Sequence, residues 1–316
     1  MDFRTQIPLQ KQLHNQIDYH SKLVLLGSCF SENIGNKLAY YQFQAIQNPF
    51  GILFHPKAIE SLITHVINEK EYTEKDIFEL NERWHCFEAH SSLSSSNKDN
   101  LVLSLNKATQ SLYQYIQNTS HIIITLGTAW VYRFIESDII VANCHKVPQK
   151  QFLKEILSAD EVEESLSNIC SLIKSVNPKT TIIFTVSPVR HLKDGFIENQ
   201  QSKSHLLTGI HRLIEPRKQL YYFPSYEIMM DELRDYRFYN EDMIHPNTTA
   251  INYIWSKFTE TWFSETTRKT LTKVEEIQRG TAHRPFNPDS EAHQKFLQKL
   301  EEKKAALLKT FPFMKF

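Results

Sequence analysis

The chain has 316 residues, of which 41% are hydrophobic, 12% aromatic and 23% charged, with 36 Lys+Arg set against 36 Asp+Glu. That apolar content excludes a disordered chain, a collagen-like repeat and a linker protein. A formal net charge of zero gives no global field to draw in nucleic acid or an anionic membrane. Glycine is scarce, 7 residues where average usage is near 7% of a chain, so each is expected where the backbone demands it.

In chain order, strand-length apolar runs fall at Lys22–Gly27, His121–Gly127, Thr181–Pro188 and Leu220–Met229. The first three are β-branched and apolar on both faces, the pattern of parallel strands covered on two sides. Helical patterns lie between them at Ser31–Tyr41, Pro56–Asn68, Asn100–Gln117, Ala159–Val176 and Asn199–Leu213. A further helix is expected after Pro246, starting near Thr248 or Thr249 and running to about Trp262. Strand–helix alternation predicts a three-layer α/β/α fold with a parallel central sheet. Trp130–Phe134 and Asp138–Asn143 read as an added hairpin, and Ser91–Asn100 as a polar loop that could work as a lid with Trp84, His85 and His90. The predicted division is a domain over residues 1–264 and a C-terminal helical extension over 265–316, in which Ser290–Leu308 is an amphipathic helix.

The N-terminus has no apolar core of signal-peptide length, and no stretch reaches the ~18 uninterrupted apolar residues of a membrane span. The expectation is a cytoplasmic protein with no membrane span and no nucleic-acid partner. The four cysteines, Cys29, Cys86, Cys144 and Cys170, form no CxxC pair and are too few for a disulfide framework. His85-Cys86 with His90, and Cys144-His145, lack paired ligand spacing, so no metal is expected.

Two segments carry chemistry. The first strand ends in Gly27-Ser28-Cys29-Phe30-Ser31-Glu32 and a helix follows at once. The carboxyl ends of parallel strands form the functional edge of such a sheet. A side chain there meets a helix N-terminus, whose positive end favours anions and whose free N–H groups can hold an oxyanion. Ser28 or Cys29 is therefore placed to act as a nucleophile, and strand periodicity turns the two side chains to opposite sides. Near the end of the α/β region, Asp242 precedes His245 by three residues, close enough to accept from the imidazole Nδ1–H and leave Nε2 as a base. Pro246 biases His245 to an extended conformation just before a helix.

LLGSCFSENIG near the start and EDMIHPN near the end resemble the first and last sequence blocks of the SGNH (GDSL-type) hydrolase superfamily. With NPFGILFHP, TLGTAWVY, NCHKVP and TVSPVRH in the same order, residues 20–262 more narrowly resemble the GSCFA domain family. The resemblance implies a flavodoxin-like sheet and an acyl-ester hydrolase or acyltransferase that needs no cofactor. Its substrate would be a small-molecule or glycan ester. Cys29 falls where that superfamily carries its serine, Ser28 where it carries an aspartate, and Asp242/His245 on its Asp-x-x-His. Gly51 is implied as an oxyanion-hole glycine. Gly127-Thr128-Ala129-Trp130 matches the Gly-x-Asn-Asp block with Ala129 in place of the oxyanion-hole Asn, for which Thr128, Asn48 or Asn143 could substitute. A Cys29 thiolate beside His245 and a helix N-terminus would be strongly nucleophilic. Arg190 or His191, after the third strand, would contact substrate. The alternative reading is an inactive member kept as a binding module.

Overall fold

The computed structural model describes residues 5–316. Five parallel strands form the central sheet: β1 (Lys22–Gly27), β2 (Gln44–Gln47), β5 (His121–Leu126), β9 (Thr181–Val186) and β10 (Leu220–Tyr222). Their spatial order is β10-β9-β5-β1-β2. Counted along the sheet strands alone this is 2-1-3-4-5, which reverses direction between β1 and β5 and so opens a crevice at their carboxyl ends. Register runs Leu23↔His121 to Gly27↔Thr125, and His121↔Thr181 to Leu126↔Val186.

Period-two alternation explains the layers. Val24, Leu26, Ile122, Ile124, Ile182 and Phe184 point into one core, whereas Leu23, Leu25, Ile123 and Ile183 point into another. The first core is closed by α2 (Pro56–Ile67), α3 (Lys98–Asn118), α4 (Ala159–Val176) and α5 (Phe196–Leu213). On the opposite face lie α1 (Cys29–Tyr40), α7 (Thr248–Trp262), α8 (Glu265–Ala282) and α9 (Glu291–Thr310). The expected α/β/α sandwich is the fold observed.

Four details differ from the sequence reading. Leu220–Met229 is strand only to Tyr222. Pro224 has no N–H to continue the ladder, and the chain turns into a short helix, α6 (Ser225–Glu227), followed by a π-helical turn over Ile228–Glu232. The polar edge strand β2 carried no apolar signal. A hairpin of β3 (Phe78–Leu80) and β4 (Arg83–His85) precedes the Ser-rich segment. The predicted hairpin forms as β6 (Trp130–Phe134) and β7 (Ile139–Val141), and β8 (Phe152–Ile156) joins it as a third antiparallel strand. In the C-terminal region, α8 and α9 cover α1 and α7, and Phe311 packs on Tyr19 at 5.0 Å between ring centroids. Among the described residues no helix is long and apolar enough to cross a membrane.

Candidate functional site

The turn after β1 is built around one obligatory glycine. Gly27 has φ +130°, and a Cβ there would lie 2.1 Å from the Thr125 carbonyl oxygen on β5. Ser28 follows as the N-cap of α1: it is fully buried, its N–H donates to Thr125 O at 3.0 Å and its Oγ accepts from Phe30 N–H at 3.3 Å. Cys29 is the first helical residue and is only half-buried. Of the two nucleophile candidates, the serine is engaged as a cap and the thiol is the accessible one.

Contrary to the expected thiolate, the surroundings of Cys29 push its thiol away from ionisation. Burial, followed by the Glu32 carboxylate one turn along α1, pushes Cys29 above the usual thiol range. Lys203 and the N–H groups of residues 29 and 30 act in the opposite sense without overcoming it.

Asp242 and His245 form the expected pair. The imidazole Nδ1 lies 2.7 Å from Asp242 Oδ2, while Oδ1 accepts the N–H groups of Ile244 at 2.8 Å and His245 at 2.9 Å. Those two backbone donors, with the imidazole next, hold the carboxyl down at about 2. Met243, at φ +57°, supplies the left-handed residue that folds the turn back on itself. Nε2 of His245 is left without a protein partner among the described residues.

The other candidates separate clearly. Asn48 takes Gly27 N–H on its Oδ1 at 2.9 Å, while its buried Nδ2 has no partner. Because a backbone donor fixes which end is oxygen, a free amide N–H₂ sits beside the nucleophile turn. Gly51 does not offer its N–H as expected: that group closes a β-turn onto Asn48 O at 2.7 Å. The glycine is required there for another reason, since at φ +73° a Cβ would come within 2.4 Å of His90 Cβ. Thr128 Oγ1 meets Ser202 Oγ at 3.0 Å and accepts Trp130 N–H at 3.0 Å, so its hydroxyl is engaged between β5 and α5. Ala129 is fully buried with its N–H on Ser202 Oγ at 2.7 Å. Asn143 uses its Oδ1 on His145 N–H and Ser91 Oγ in the loop after β7.

The histidine–cysteine clusters are built as structure. His145 Nε2 lies 2.7 Å from Cys86 O and His85 Nε2 3.2 Å from Leu80 O, their rings 4.8 Å apart. His90 instead packs over Gly51 and senses Glu32.

Sequence reasoning missed Lys203. It projects from α5 into complete burial and donates to Gly127 O at 2.7 Å and Ser187 O at 2.8 Å, tying together the carboxyl ends of β5 and β9. Burial pulls its ammonium down to about 7; the Cys29 sulphur opposes this and Arg190 adds to it. A lone lysine inside a helix pattern gives no sequence signal of this role. Beside it, burial together with the charges of Lys203 and His245 pushes His191 down to about 3, leaving a neutral ring. Its buried Nε2 has no partner, and a Cβ on Gly127 would lie 3.1 Å from that atom. Through its two carbonyl acceptors Lys203 sits at the same carboxyl edge of the sheet at which β1 delivers Cys29. Arg190 borders it, with one Nη 3.0 Å from Met230 Sδ.

The sequence profile of the GSCFA family matches residues 22–258, and a second profile, described as the C-terminal domain of GSCFA domain proteins, matches residues 274–316. No curated protein matches the chain.

Proposed function

The chain belongs to the GSCFA family, and from that premise and the site geometry we propose that it is an SGNH-like hydrolase of acyl esters working through a covalent acyl-enzyme. The observation that carries this reading is the Asp242–His245 pair, 2.7 Å apart and with a free Nε2, in a fold that presents a half-buried thiol at a helix N-terminus. Cys29 Sγ attacks the ester carbonyl as His245 Nε2 takes the thiol proton. The C–S bond forms, the C–O bond breaks, and His245 returns that proton to the departing alkoxide. Water, deprotonated by the same nitrogen, then cleaves the thioester and the proton goes back to Sγ. An acyltransferase differs only in using another hydroxyl in place of water.

Asp242 fixes the tautomer of His245. The Cys29 N–H and Asn48 Nδ2 bind the oxyanion, Asn48 taking the role left by Ala129. Lys203 is a positioning residue that holds the ends of β5 and β9 and lowers the cost of charge on sulphur. A second reading, a binding module that keeps the fold, is favoured by the buried Ala129 and by the upward shift of the thiol.

The test is turnover of p-nitrophenyl esters together with intact-mass labelling by iodoacetamide and a fluorophosphonate. Wild type is compared with Cys29→Ala, Ser28→Ala and His245→Ala. Turnover is expected to vanish in Cys29→Ala and His245→Ala and to survive in Ser28→Ala. Persistence in both the Cys29 and Ser28 variants would refute the nucleophile assignment. No turnover, with Cys29 alkylated no faster than buried Cys170, would favour the binding module over the hydrolase.

A further inference from the structure

A cleft of about 650 Å³ opens between Arg190, on the loop after β9, and Met243, the residue inside the Asp242–His245 turn. That volume is in the range of small-molecule sites. Its floor is the π-helical turn carrying Met229 and Met230, continued by Leu233. π-Helical turns are rare and concentrate at functional sites. The rim is apolar yet exposed: Phe196 is 69%, Tyr236 76% and Met243 50% accessible. Phe196, Tyr236 and Met243 thus expose apolar surface around a buried floor of Met229 and Leu233, beside the dyad turn. Methionine side chains adapt to unbranched chains of varied path, and three of the five methionines in the sequence lie here.

The charges lining the cleft are unequal. Arg234 pairs with Asp231 at 2.9 Å, and Asp235 lies 3.6 Å from Arg237. Arg190 has no carboxylate partner among the described residues, only the Met230 thioether, a weak acceptor. A guanidinium with donors in hand at the end of an apolar trough fits a carboxyl group on an apolar chain. Arg190 also lies three residues after Ser187, whose carbonyl Lys203 holds at 2.8 Å at the carboxyl edge of the sheet that carries Cys29.

We propose that this cleft is the acyl subsite, holding a single unbranched apolar acyl chain against Met229, Met230, Leu233 and Met243 with its carboxyl end toward Arg190. The substrate class is then esters of medium-chain fatty acids rather than acetyl esters, and the acid released by hydrolysis pairs with Arg190. This deepens the acyl-ester reading and is tested apart from it.

The experiment uses full-length Cys29→Ala, which cannot turn over, labelled with ¹³C at the methionine methyls. It is titrated with decanoate, decanol and acetate below the aggregation concentration of each. Decanoate is expected to shift the methyls of Met229, Met230 and Met243 and to leave Met314, which is buried in the core but does not line the cleft, unmoved. Acetate should move none. Adding Arg190→Gln is expected to weaken decanoate tenfold or more and decanol less than twofold. Met230→Glu, which sets a carboxylate beside Arg190, should abolish decanoate binding even if Arg190→Gln folds poorly. Unmoved methyls would overturn the proposal, as would an Arg190→Gln substitution that leaves the affinities for decanoate and decanol both unchanged. Methyl shifts without ester turnover by the wild type would refute the catalysis and leave the subsite standing.

Discussion

Lys203→Met removes an ammonium while keeping the length and apolar bulk of the side chain, so it isolates the buried charge at the centre of the site. In the unfolded chain that lysine holds its proton up to its ordinary value of 10.5, whereas burial lets it go near 7 in the fold. Between those values the unfolded state binds more protons, so this group makes folding stability rise with pH. The slope reaches about 1.36 kcal/mol per pH unit, and the whole window is worth up to about 5 kcal/mol. Below pH 7 the burial penalty is fully present.

Methionine has no such ionisation. Its cost is the loss of a donor to Gly127 O and Ser187 O, roughly 1–3 kcal/mol for each carbonyl left unpaired, at every pH. Lys203→Met should therefore be only slightly less stable than its parent at pH 6, with the deficit growing by about 2 kcal/mol by pH 8.5. Cys29 titrates with the opposite sign, because its raised folded value makes stability fall as pH rises past the ordinary thiol range. The comparison is best made with Cys29→Ala in both chains, from urea midpoints at pH 6, 7, 8 and 8.5. Curves that stay parallel across that range would show that Lys203 carries no depressed ionisation and has no electrostatic part in the site. With Cys29 restored, the same substitution should raise the apparent pKa of iodoacetamide alkylation and slow the reaction at pH 7.5, since the thiolate fraction falls tenfold for each unit of upward shift.

Asn48→Ala should lower kcat by about 10²–10³ with little change in KM, the signature of a donor used only once charge reaches the carbonyl oxygen; an equal loss in KM would move Asn48 to ground-state binding. Asp242→Asn keeps its one oxygen for the two backbone N–H groups and so turns an amide N–H toward Nδ1, which disfavours the required tautomer; kcat should fall by up to about 10⁴, and a loss under tenfold would remove Asp242 from catalysis. Gly27→Ala places a methyl group 2.1 Å from Thr125 O at a backbone angle unsuited to L-residues, and it should cost several kcal/mol in chemical denaturation; a loss below about 1 kcal/mol would mean the turn can shift away from β5.

The layered fold was legible because its central strands are covered on both faces. Runs such as HIIITL admit few other readings, and Gly27 was expected at the carboxyl end of a strand, where it is found. The edge strand β2 stayed hidden since QAIQ is half-exposed and lacks the apolar signature. The choice between Ser28 and Cys29 needed the cap: only the geometry of α1 shows the serine oxygen facing Phe30 N–H. The candidate oxyanion donors were legible as residue types but not as free groups. Whether Asn48, Thr128, Gly51 or Asn143 has a hydrogen to offer depends on partners 2 to 74 residues away. Lys203 was invisible for a related reason, because its acceptors are backbone carbonyls on two other strands.

For the proposed acyl-enzyme, the upward shift of the Cys29 thiol selects between two kinds of cysteine chemistry. A cysteine paired with imidazolium is ionised before substrate arrives, and its base then contributes little to attack. In the proposed mechanism burial and Glu32 push the Cys29 thiol away from ionisation, so His245 takes the proton as the C–S bond forms, in the manner of a serine nucleophile. The two cases part on His245→Ala. An ion pair would lose tenfold or more in iodoacetamide alkylation between pH 6 and 7, since the thiolate would lose its counter-charge. Concerted proton removal predicts alkylation within twofold of wild type at those pH values, with ester turnover gone. Alkylation that collapses along with turnover would overturn the neutral-thiol mechanism and place a pre-formed thiolate beside His245.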